Sequence, residues 1–358
     1  MRLGRLYKSW LLLAGASLMI LFLASTSAIA GNNGRGIFVL TSTNSSRGND
    51  VLVFKLDTMD TASLSLFKTL PTGGTGGAST NAGILQFKND VGAVANYGSN
   101  TVSQIVRYDD FFSIGQSIPL VTGCMKPDSV ALTEDHLFVV GASCAESHEW
   151  PGGRVDGTVV TLPDTSAAQI AVGRTWAAVT LSSGFVLQLP LDSYGSLSGA
   201  TSTIALPSMA NNTPLGEAFW GNILGLTPAH SPDSFAIVNE SRAVFPVVGP
   251  TPPYPTNAPC WVAKGAGNIW YTGNSPGDAI SIFFSDGEGG VFYKSVPLPG
   301  SPTDITVSPD RKWLAVIYTA GGEAYVAVFS MDAHGDLTPA AKSDPIGVAG
   351  FSGVAISE

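Results

Sequence analysis

One repeated pattern of strands and turns constrains this sequence more than any other feature. Its clearest unit begins with SPTDITVSPD at 301–310, continues through an apolar strand at 312–318, and adds a third strand at 324–330. A turn containing Asp and Gly follows at 331–337 and leads into a fourth strand. Each strand alternates or is briefly apolar, and Gly, Pro, Asp and Ser separate the strands. The unit therefore predicts a four-stranded antiparallel sheet of roughly 40 to 50 residues.

The same pattern recurs along most of the chain. The opening strands of the further units are predicted at 84–87, 129–132, 169–172 and near 217, 261 and 303. Residues 352–357 supply an opening strand with no unit behind it, whereas residues 36–70 supply three strands without an opening one. These two fragments complete each other. A ring also hides the strand edges that an open array would expose.

We therefore predict an all-β fold, a seven-bladed β-propeller of four-stranded blades, closed by N- and C-terminal strands in one composite blade. Six or eight blades, or a stacked solenoid, are the alternatives. No second domain is needed to account for the chain. The predicted organisation is a signal peptide at 1–30 and a single propeller domain at 31–358.

The first thirty residues have the layout of a secretory signal peptide. Arg2, Arg5 and Lys8 precede an uncharged run at 10–23, and Ala28-Ile29-Ala30 places small residues at the positions required for cleavage. The alternative is an uncleaved anchor, because the uncharged stretch at 9–30 could just span a bilayer. We expect cleavage, which would place the protein outside the cytoplasm as a secreted or periplasmic protein.

The charge balance excludes one class of partner. The chain has 27 acidic residues against 18 Lys and Arg, a net charge of −9. Nucleic-acid binding depends on Lys and Arg that neutralise phosphates, so no nucleic-acid partner is expected. No membrane association is expected after signal cleavage either, and we expect a monomer.

Short motifs give the chain a resemblance to a known family. The octapeptide ANYGSNTV at 95–102 resembles the blade motif of the lactonase-type seven-bladed propellers, the bacterial 6-phosphogluconolactonases and fungal carboxymuconate-cyclase-like proteins. The Asp-x-x-Gly-x-Leu turns that begin at Asp192 and Asp332, and the Val238-Asn239-Glu240 segment, resemble other blades of that family. The resemblance implies a protein that handles small lactones, as a hydrolase or a cycloisomerase.

The chain also departs from that family. Its blades often begin with Pro-Arg-His ahead of the inner strand, whereas the corresponding segments here read Pro127-Asp128-Ser129, Pro259-Cys260-Trp261 and Pro302-Thr303-Asp304. The basic and imidazole groups are missing. Lactonase chemistry therefore cannot be transferred residue by residue, and loss of activity is an alternative.

Candidate site residues come from the repeat itself. In a propeller the segments that lead into the inner strands converge around the axis, where they form a concave pocket. Three carboxylates fall at this offset, and we predict Asp128, Glu217 and Asp304 as the catalytic acids or bases. We predict four further residues at the same offset as ligand-binding: Asn81, Ser129, Gln169 and Trp261.

The three carboxylates allow more than one interpretation. Acids that share a pocket raise each other's pKa, so one could activate water while another donates a proton, as lactone hydrolysis requires. Several carboxylates with amide oxygens could instead hold a hard cation such as Ca²⁺. The structural alternative is that Asp128 and Asp304 cap turns. Zinc-type spacing of His and Cys is missing from the sequence, so no metal ligands are assigned, and Ca²⁺ is the one cofactor considered.

The three cysteines suggest one disulfide and one free thiol. Cys124 precedes a predicted inner strand and Cys144 follows the next strand, which puts both at the same end of a hairpin. We predict a disulfide between them, as fits an oxidising compartment. Cys260 has no His nearby in sequence and is expected to be a buried, inert thiol.

Two functional hypotheses follow. The first is an exported, lactonase-like propeller that binds a small molecule or lactone at its axis and hydrolyses or forms a lactone there. The second is a non-catalytic module that binds a protein or ligand through its loops, such as those predicted at 145–155 and 206–216. The long, uneven loops and the missing Pro-Arg-His segments favour the second hypothesis.

Overall fold

The computed structural model describes residues 35–59, 61–78, 82–121, 123–199, 201–206, 213–229, 234–248 and 258–358. Residues 35–358 form one compact unit. The predicted signal peptide at 1–30, the predicted ligand-binding residue Asn81 and most of the loop predicted at 206–216 lie outside the described residues.

The described residues form seven antiparallel sheets, each with four main strands. Blade one contains, from the axis outward, β29 (Ser352–Ser357), β1 (Ile37–Ser42), β2 (Asp50–Asp57) and β3 (Ser63–Pro71). Blade two contains β4 (Leu85–Lys88), β5 (Val91–Asn96), β6 (Thr101–Tyr108) and β7 (Phe111–Pro119). Blade three contains β8 (Ser129–Leu132), β9 (His136–Val140), β10 (Cys144–Glu149) and β11 (Val155–Thr161). Blade four contains β12 (Ala167–Val172), β13 (Trp176–Leu181), β14 (Phe185–Pro190) and β15 (Ser202–Ala205). Blade five contains β16 (Pro214–Trp220), β17 (Ile223–Pro228), β18 (Ser234–Val238) and β19 (Val244–Val248). Blade six contains β20 (Pro259–Lys264), β21 (Ile269–Asn274), β22 (Ala279–Phe284) and β23 (Val291–Pro297). Blade seven contains β24 (Ser301–Val307), β25 (Trp313–Ala320), β26 (Glu323–Met331) and β27 (Leu337–Lys342). The short strand β28 (Gly347–Val348) also pairs with β26 in this blade.

Blade one closes the ring from both ends of the propeller. The C-terminal strand β29 pairs antiparallel with β1, and Phe38 lies opposite Ser357 in the register. The predicted seven-bladed propeller with a composite blade is confirmed. The opening strands predicted at 129–132 and 352–357 match β8 and β29 residue for residue.

The hydrophobic core lies between neighbouring blades, as expected when each sheet is buried on both faces. One cluster joins blades one, two and three and includes Phe38, Val94, Phe112 and Val139. The described part of the chain contains a single short 3₁₀ turn, Tyr97–Ser99, and no helix there is long and apolar enough to cross a membrane.

Blade three differs from the sequence expectation at its third strand. Residues 145–155 were predicted as a loop, but Cys144–Glu149 form strand β10, and Glu146 and His148 are buried within it. His148 Nε2 lies 2.8 Å from Glu146 Oε1, and the backbone amide of Val121 donates to Glu146 Oε2 at 3.1 Å. Mutual pairing lets these polar side chains occupy a buried strand, which hydrophobic alternation alone could not have indicated.

Cys124 and Cys144 form a disulfide in the structure, with their Cα atoms 5.5 Å apart. The bond ties the connection that precedes β8 to the start of β10. It closes a segment with a sequence separation of 20 residues.

Replacing both of these cysteines by serine is expected to lower the free energy of unfolding by about 3 kcal/mol, because the unfolded chain regains the entropy of an open loop. Urea unfolding of the oxidised protein and of the C124S/C144S variant measures the difference. A Cys260→Ser variant is the control for cysteine replacement. Equal unfolding midpoints for the oxidised protein and the double variant would contradict the prediction.

Candidate functional site

Register irregularities set the positions of the axial side chains. The inner strand contains a bulge in five blades, and in blade one the first residue paired after it is Val354. In the other four blades this residue is Gln169, Glu217, Trp261 or Asp304. These residues therefore occupy equivalent positions, as the repeat predicted. Since a β-bulge changes the direction in which a side chain points, the same backbone feature aims different residues toward the axis or between blades.

The inner strands surround an axial cavity of about 300 Å³. Its wall is built from small side chains, with one alanine from each of five inner strands: Ala131, Ala171, Ala218, Ala263 and Ala355. At the end where the inner strands begin, the lining residues Gln169, Glu217 and Asp304 are buried. Arg311 is exposed at the opposite end. The cavity is thus a funnel with a polar floor and a mouth at the end where the inner strands finish.

Glu217 lies at the floor of this funnel. Only 1% of the residue is exposed, and neither carboxyl oxygen has a hydrogen-bond partner among the described residues. Burial raises the pKa of Glu217 well above its usual value, and the nearby amides of Ala171 and Thr180 offset this only in part. Burial therefore favours the protonated form of this side chain, which has a proton that it can donate.

Asp304 lies at the same floor on another blade. Burial raises its pKa from 3.8 to about 7, against the opposing effect of backbone amides that include Ile305, whose N–H donates to Oδ1 at 2.8 Å. Near neutral pH this carboxyl group is divided between its charged and neutral forms. It can both accept and return a proton there, which suits a general base.

Ser129 and Gln169 connect neighbouring inner strands. Ser129 Oγ accepts a hydrogen bond from the Ile170 amide at 3.3 Å, and Gln169 Oε1 accepts one from the Glu217 amide at 2.7 Å. Gln169 also lines the cavity. Both side chains therefore help to close the ring at the floor, and their predicted role in ligand binding stays a prediction.

Asp128 and Trp261 occupy positions beside the cavity instead of on its lining. Asp128 is buried just before β8, and its amide donates to the Val140 carbonyl. Trp261 is buried between blades, with Nε1 donating to the Pro302 carbonyl at 2.9 Å. Neither residue is among those that line the funnel, so the geometry gathers two of the three predicted acids, Glu217 and Asp304.

The structure also shows the surroundings of the predicted free thiol and of the side chains that could hold a metal. Cys260 is buried, and burial raises its pKa to about 11, so the thiol is protonated at neutral pH. Within the described ranges, one set of three Cys, His, Asp or Glu side chains brings its ligand atoms within 4.8 Å of each other: Cys124, Cys144 and Glu146. Both of its sulfurs are in the disulfide. Calcium binding stays a prediction.

The mouth of the funnel carries two residues that sequence reasoning missed. Lys264 ends the inner strand of blade six, and Arg311 lies in the first hairpin of blade seven; both line the cavity. The available signal was that each follows a predicted inner strand, but charged residues after strands are ordinary surface features. Only the closed ring brings them together.

Comparison with known proteins gives the fold. No protein-family model matches the chain, and no curated protein matches it in sequence. Solved structures do match. A protein from Lactobacillus plantarum is 14% identical with a TM-score of 0.66, and the match covers 90% of this chain and 100% of that one. The chain therefore shares its fold with these solved structures.

Two further solved structures are named as enzymes. A putative 6-phosphogluconolactonase from Bacteroides fragilis is 12% identical with a TM-score of 0.61, and the match covers 91% of this chain and 99% of that one. Virginiamycin B lyase from Staphylococcus aureus is 12% identical with a TM-score of 0.54, and the match covers 78% of this chain and 94% of that one. At these identities the similarity establishes a shared propeller architecture, which serves enzymes as well as binding modules.

Proposed function

We propose that this propeller binds a small molecule in its axial funnel and hydrolyses or forms a lactone there by acid–base catalysis. The observation that carries the proposal is the pair of buried carboxyl groups, Glu217 and Asp304, at the floor of one cavity. Both have pKa values raised by burial, and such groups gather at catalytic sites. The resemblance of the blade motifs to lactonase-type propellers supports the choice of a lactone.

The two acids would divide the work of hydrolysis. Ionised Asp304 would take a proton from a water molecule as the water oxygen bonds to the lactone carbonyl carbon. Glu217 would then give its proton to the ring oxygen as the bond between that oxygen and the carbonyl carbon breaks. Formation of a lactone is the same sequence in reverse. Asp128, placed outside the funnel lining, has no part in this proposal.

The dimensions of the funnel limit the ligand. Asp304 lies at the floor and Val307 at the end of the same inner strand, so the depth along this strand is about 10 Å at roughly 3.3 Å per residue. The cavity volume of about 300 Å³ is at the lower end of the range for small-molecule sites. A ligand of one or two rings fits these dimensions.

The proposed location is outside the cytoplasm. The signal-like sequence at 1–30 supports export, and the Cys124–Cys144 disulfide supports an oxidising compartment. N-terminal sequencing of the protein recovered from the culture medium or periplasm tests this proposal. A mature chain that starts at Gly31 would support it, and an intact N-terminus in the membrane fraction would contradict it.

A turnover screen tests the proposed activity. Purified protein is assayed with sugar lactones and aromatic-derived lactones, with and without added Ca²⁺ or a chelator. We expect turnover that chelation leaves unchanged, because the proposed acids work without a metal. Turnover abolished by chelation would instead make the carboxylates cation ligands. No turnover across the panel, in protein with an intact fold, would overturn the enzymatic proposal.

A second candidate function is a non-catalytic interaction module. It is favoured by large apolar side chains exposed on hairpins of the face that carries the funnel mouth, where Met59, Tyr108 and Tyr194 are each more than three-quarters exposed. Exposed aromatic and Met side chains are typical of protein-binding surfaces. Loss of partner capture in a Tyr108→Ser/Tyr194→Ser variant, without a change in stability, would support this function.

A further inference from the structure

A cleft next to the funnel mouth combines an aromatic wall with two cations. It has a volume of about 440 Å³ and is lined by Trp220, Lys264, Arg311 and the hairpin at 265–267. Lys264 and Arg311 also line the axial funnel, so the two spaces adjoin each other. In a chain with a net charge of −9, a paired set of cations at one cleft needs an explanation.

Arg311 lines this cleft and has one hydrogen-bonding edge with no partner among the described residues. Its Nη1 donates to two carbonyls, those of Lys264 and Gly265. These contacts fix the guanidinium and leave the Nε and Nη2 hydrogens without a partner among the described residues. That edge has the fork geometry that binds carboxylates and phosphates through two parallel hydrogen bonds.

The backbone of Arg311 adopts a conformation that glycine would occupy more easily. Its φ is +62°, in the left-handed region, which is costly for a residue with a Cβ. The turn places an arginine there even though glycine would fit without strain. Strained positions of this kind concentrate at ligand-binding sites, so this geometry agrees with a role for the side chain.

Lys264 supplies a fixed positive charge rather than a contact. Its Nζ lies 5.0 Å from the ring centres of both Trp220 and Trp270. Nζ donates to the carbonyls of Gly265, Gly267 and Ile269, which uses all three of its hydrogens. Burial and the neighbouring Arg311 charge lower the pKa of Lys264 to about 8. An anion beside it would relieve this repulsion.

Neither cation forms an ion pair with an acidic side chain in the part of the chain that the structure describes. The adjacent Asp310 interacts instead with Lys312 and Glu358. We propose that the cleft binds a small organic oxyanion, held by the free edge of Arg311 in the field of Lys264, with an attached flat apolar group against Trp220. The indole of Trp220 is 40% exposed and is therefore accessible to such a group.

Calorimetric titration of the purified protein with four probes tests the site. The probes are phenyl phosphate, benzoate, inorganic phosphate and phenol. We expect phenyl phosphate to bind at least tenfold more tightly than inorganic phosphate, and phenol not to bind measurably. Benzoate distinguishes a site for carboxylates from one that needs a phosphate. Equal affinities for phenyl phosphate and phenol would overturn the proposal.

Three variants assign the contacts. Arg311→Gln is expected to weaken phenyl phosphate binding at least tenfold, and Trp220→Ala to reduce its affinity to that of inorganic phosphate. Lys312→Gln is the matched control, because it removes the same charge from the next residue and leaves the cleft lining intact. If Lys312→Gln weakened binding as much as Arg311→Gln, the attraction would be unspecific and the proposal wrong.

This site is separable from the axial acids. Glu217→Gln is expected to leave phenyl phosphate binding unchanged, since Glu217 lines the floor of the funnel and not the cleft. Absence of lactone turnover together with intact phenyl phosphate binding would count against the proposed enzyme alone. Lactone turnover without phenyl phosphate binding would count against the cleft alone.

Discussion

Glu217→Gln is expected to make the protein more stable at neutral pH while it removes lactone turnover. Burial favours the protonated form of the carboxyl group in the folded protein, whereas in the unfolded chain the group is ionised at pH 7. Glutamine has nearly the same shape and needs no proton. We expect the free energy of unfolding at pH 7 to rise, because glutamine removes the cost of protonating this side chain on folding.

The effect on catalysis has the opposite sign. Glutamine cannot donate a proton to a leaving oxygen, so turnover should fall by about 10² to 10⁴-fold, the usual contribution of a general acid. Urea unfolding at pH 4 and pH 7 together with the lactone assay measures both effects. At pH 4 the stability gain should vanish, because the carboxyl group is then largely protonated in both states.

Glu146→Gln is the matched control, since Glu146 is equally buried but has partners in His148 and the Val121 amide. Replacing the carboxylate of this hydrogen-bonded pair should destabilise the fold by about 1–3 kcal/mol. If the free energy of unfolding rises in Glu217→Gln and falls in Glu146→Gln, the first carboxyl group is retained for function and the second stabilises the fold. If Glu217→Gln also destabilised the protein, the absence of partners for Glu217 would be wrong.

The sequence predicted the architecture because the repeat encodes it directly. Turn residues and short apolar strands recur in every blade, and the complementary fragments at 36–70 and 352–357 required a ring. The same repeat placed Gln169, Glu217, Trp261 and Asp304 at equivalent positions, and the bulges in these four inner strands confirm the equivalence.

Side-chain direction could not be predicted in the same way. Trp261 and Asp304 share a repeat position, but the indole reaches the neighbouring blade while Asp304 lines the funnel. The difference depends on whether a side chain finds a partner between blades, which is a property of the packed neighbours. Arg311 and Lys264 meet only after ring closure, 47 residues apart in sequence, and Glu146 and His148 became buried only because they pair.

Beside Glu217, Asp304 is expected to lower stability as the pH rises from about 4 to about 7. Its pKa in the folded protein is about 7 against an ordinary value of 3.8, so the folded state binds more protons than the unfolded state between these values. The contribution of Asp304 to stability is therefore fully present below pH 4 and is lost as the pH rises through 7. A rise of this size corresponds to roughly 4 kcal/mol.

The C-terminal Glu358 must be separated from this effect. Burial and the neighbouring Asp310 also raise the pKa of Glu358 to about 7, so it acts over the same pH range, with a smaller effect because it is partly exposed. Glu358→Gln should remove a minor part of the slope, and Asp304→Asn a larger part, in addition to the part that Glu217→Gln removes. Unfolding free energies at pH 4, 5, 6 and 7 measure the slopes, and an unchanged slope in Asp304→Asn would contradict the assignment.

Turnover should depend on pH in the opposite sense over the same range. A general base works in its ionised form, so the rate should increase as Asp304 loses its proton near pH 7. At higher pH the rate should fall again as Glu217 ionises, because its pKa is also raised. The rising limb would report Asp304 and the falling limb Glu217. Asp304 would be assigned as the general base if the Asp304→Asn variant lost the increase in rate near pH 7 while the Glu358→Gln variant kept it. Of these two residues, Asp304 alone lines the funnel.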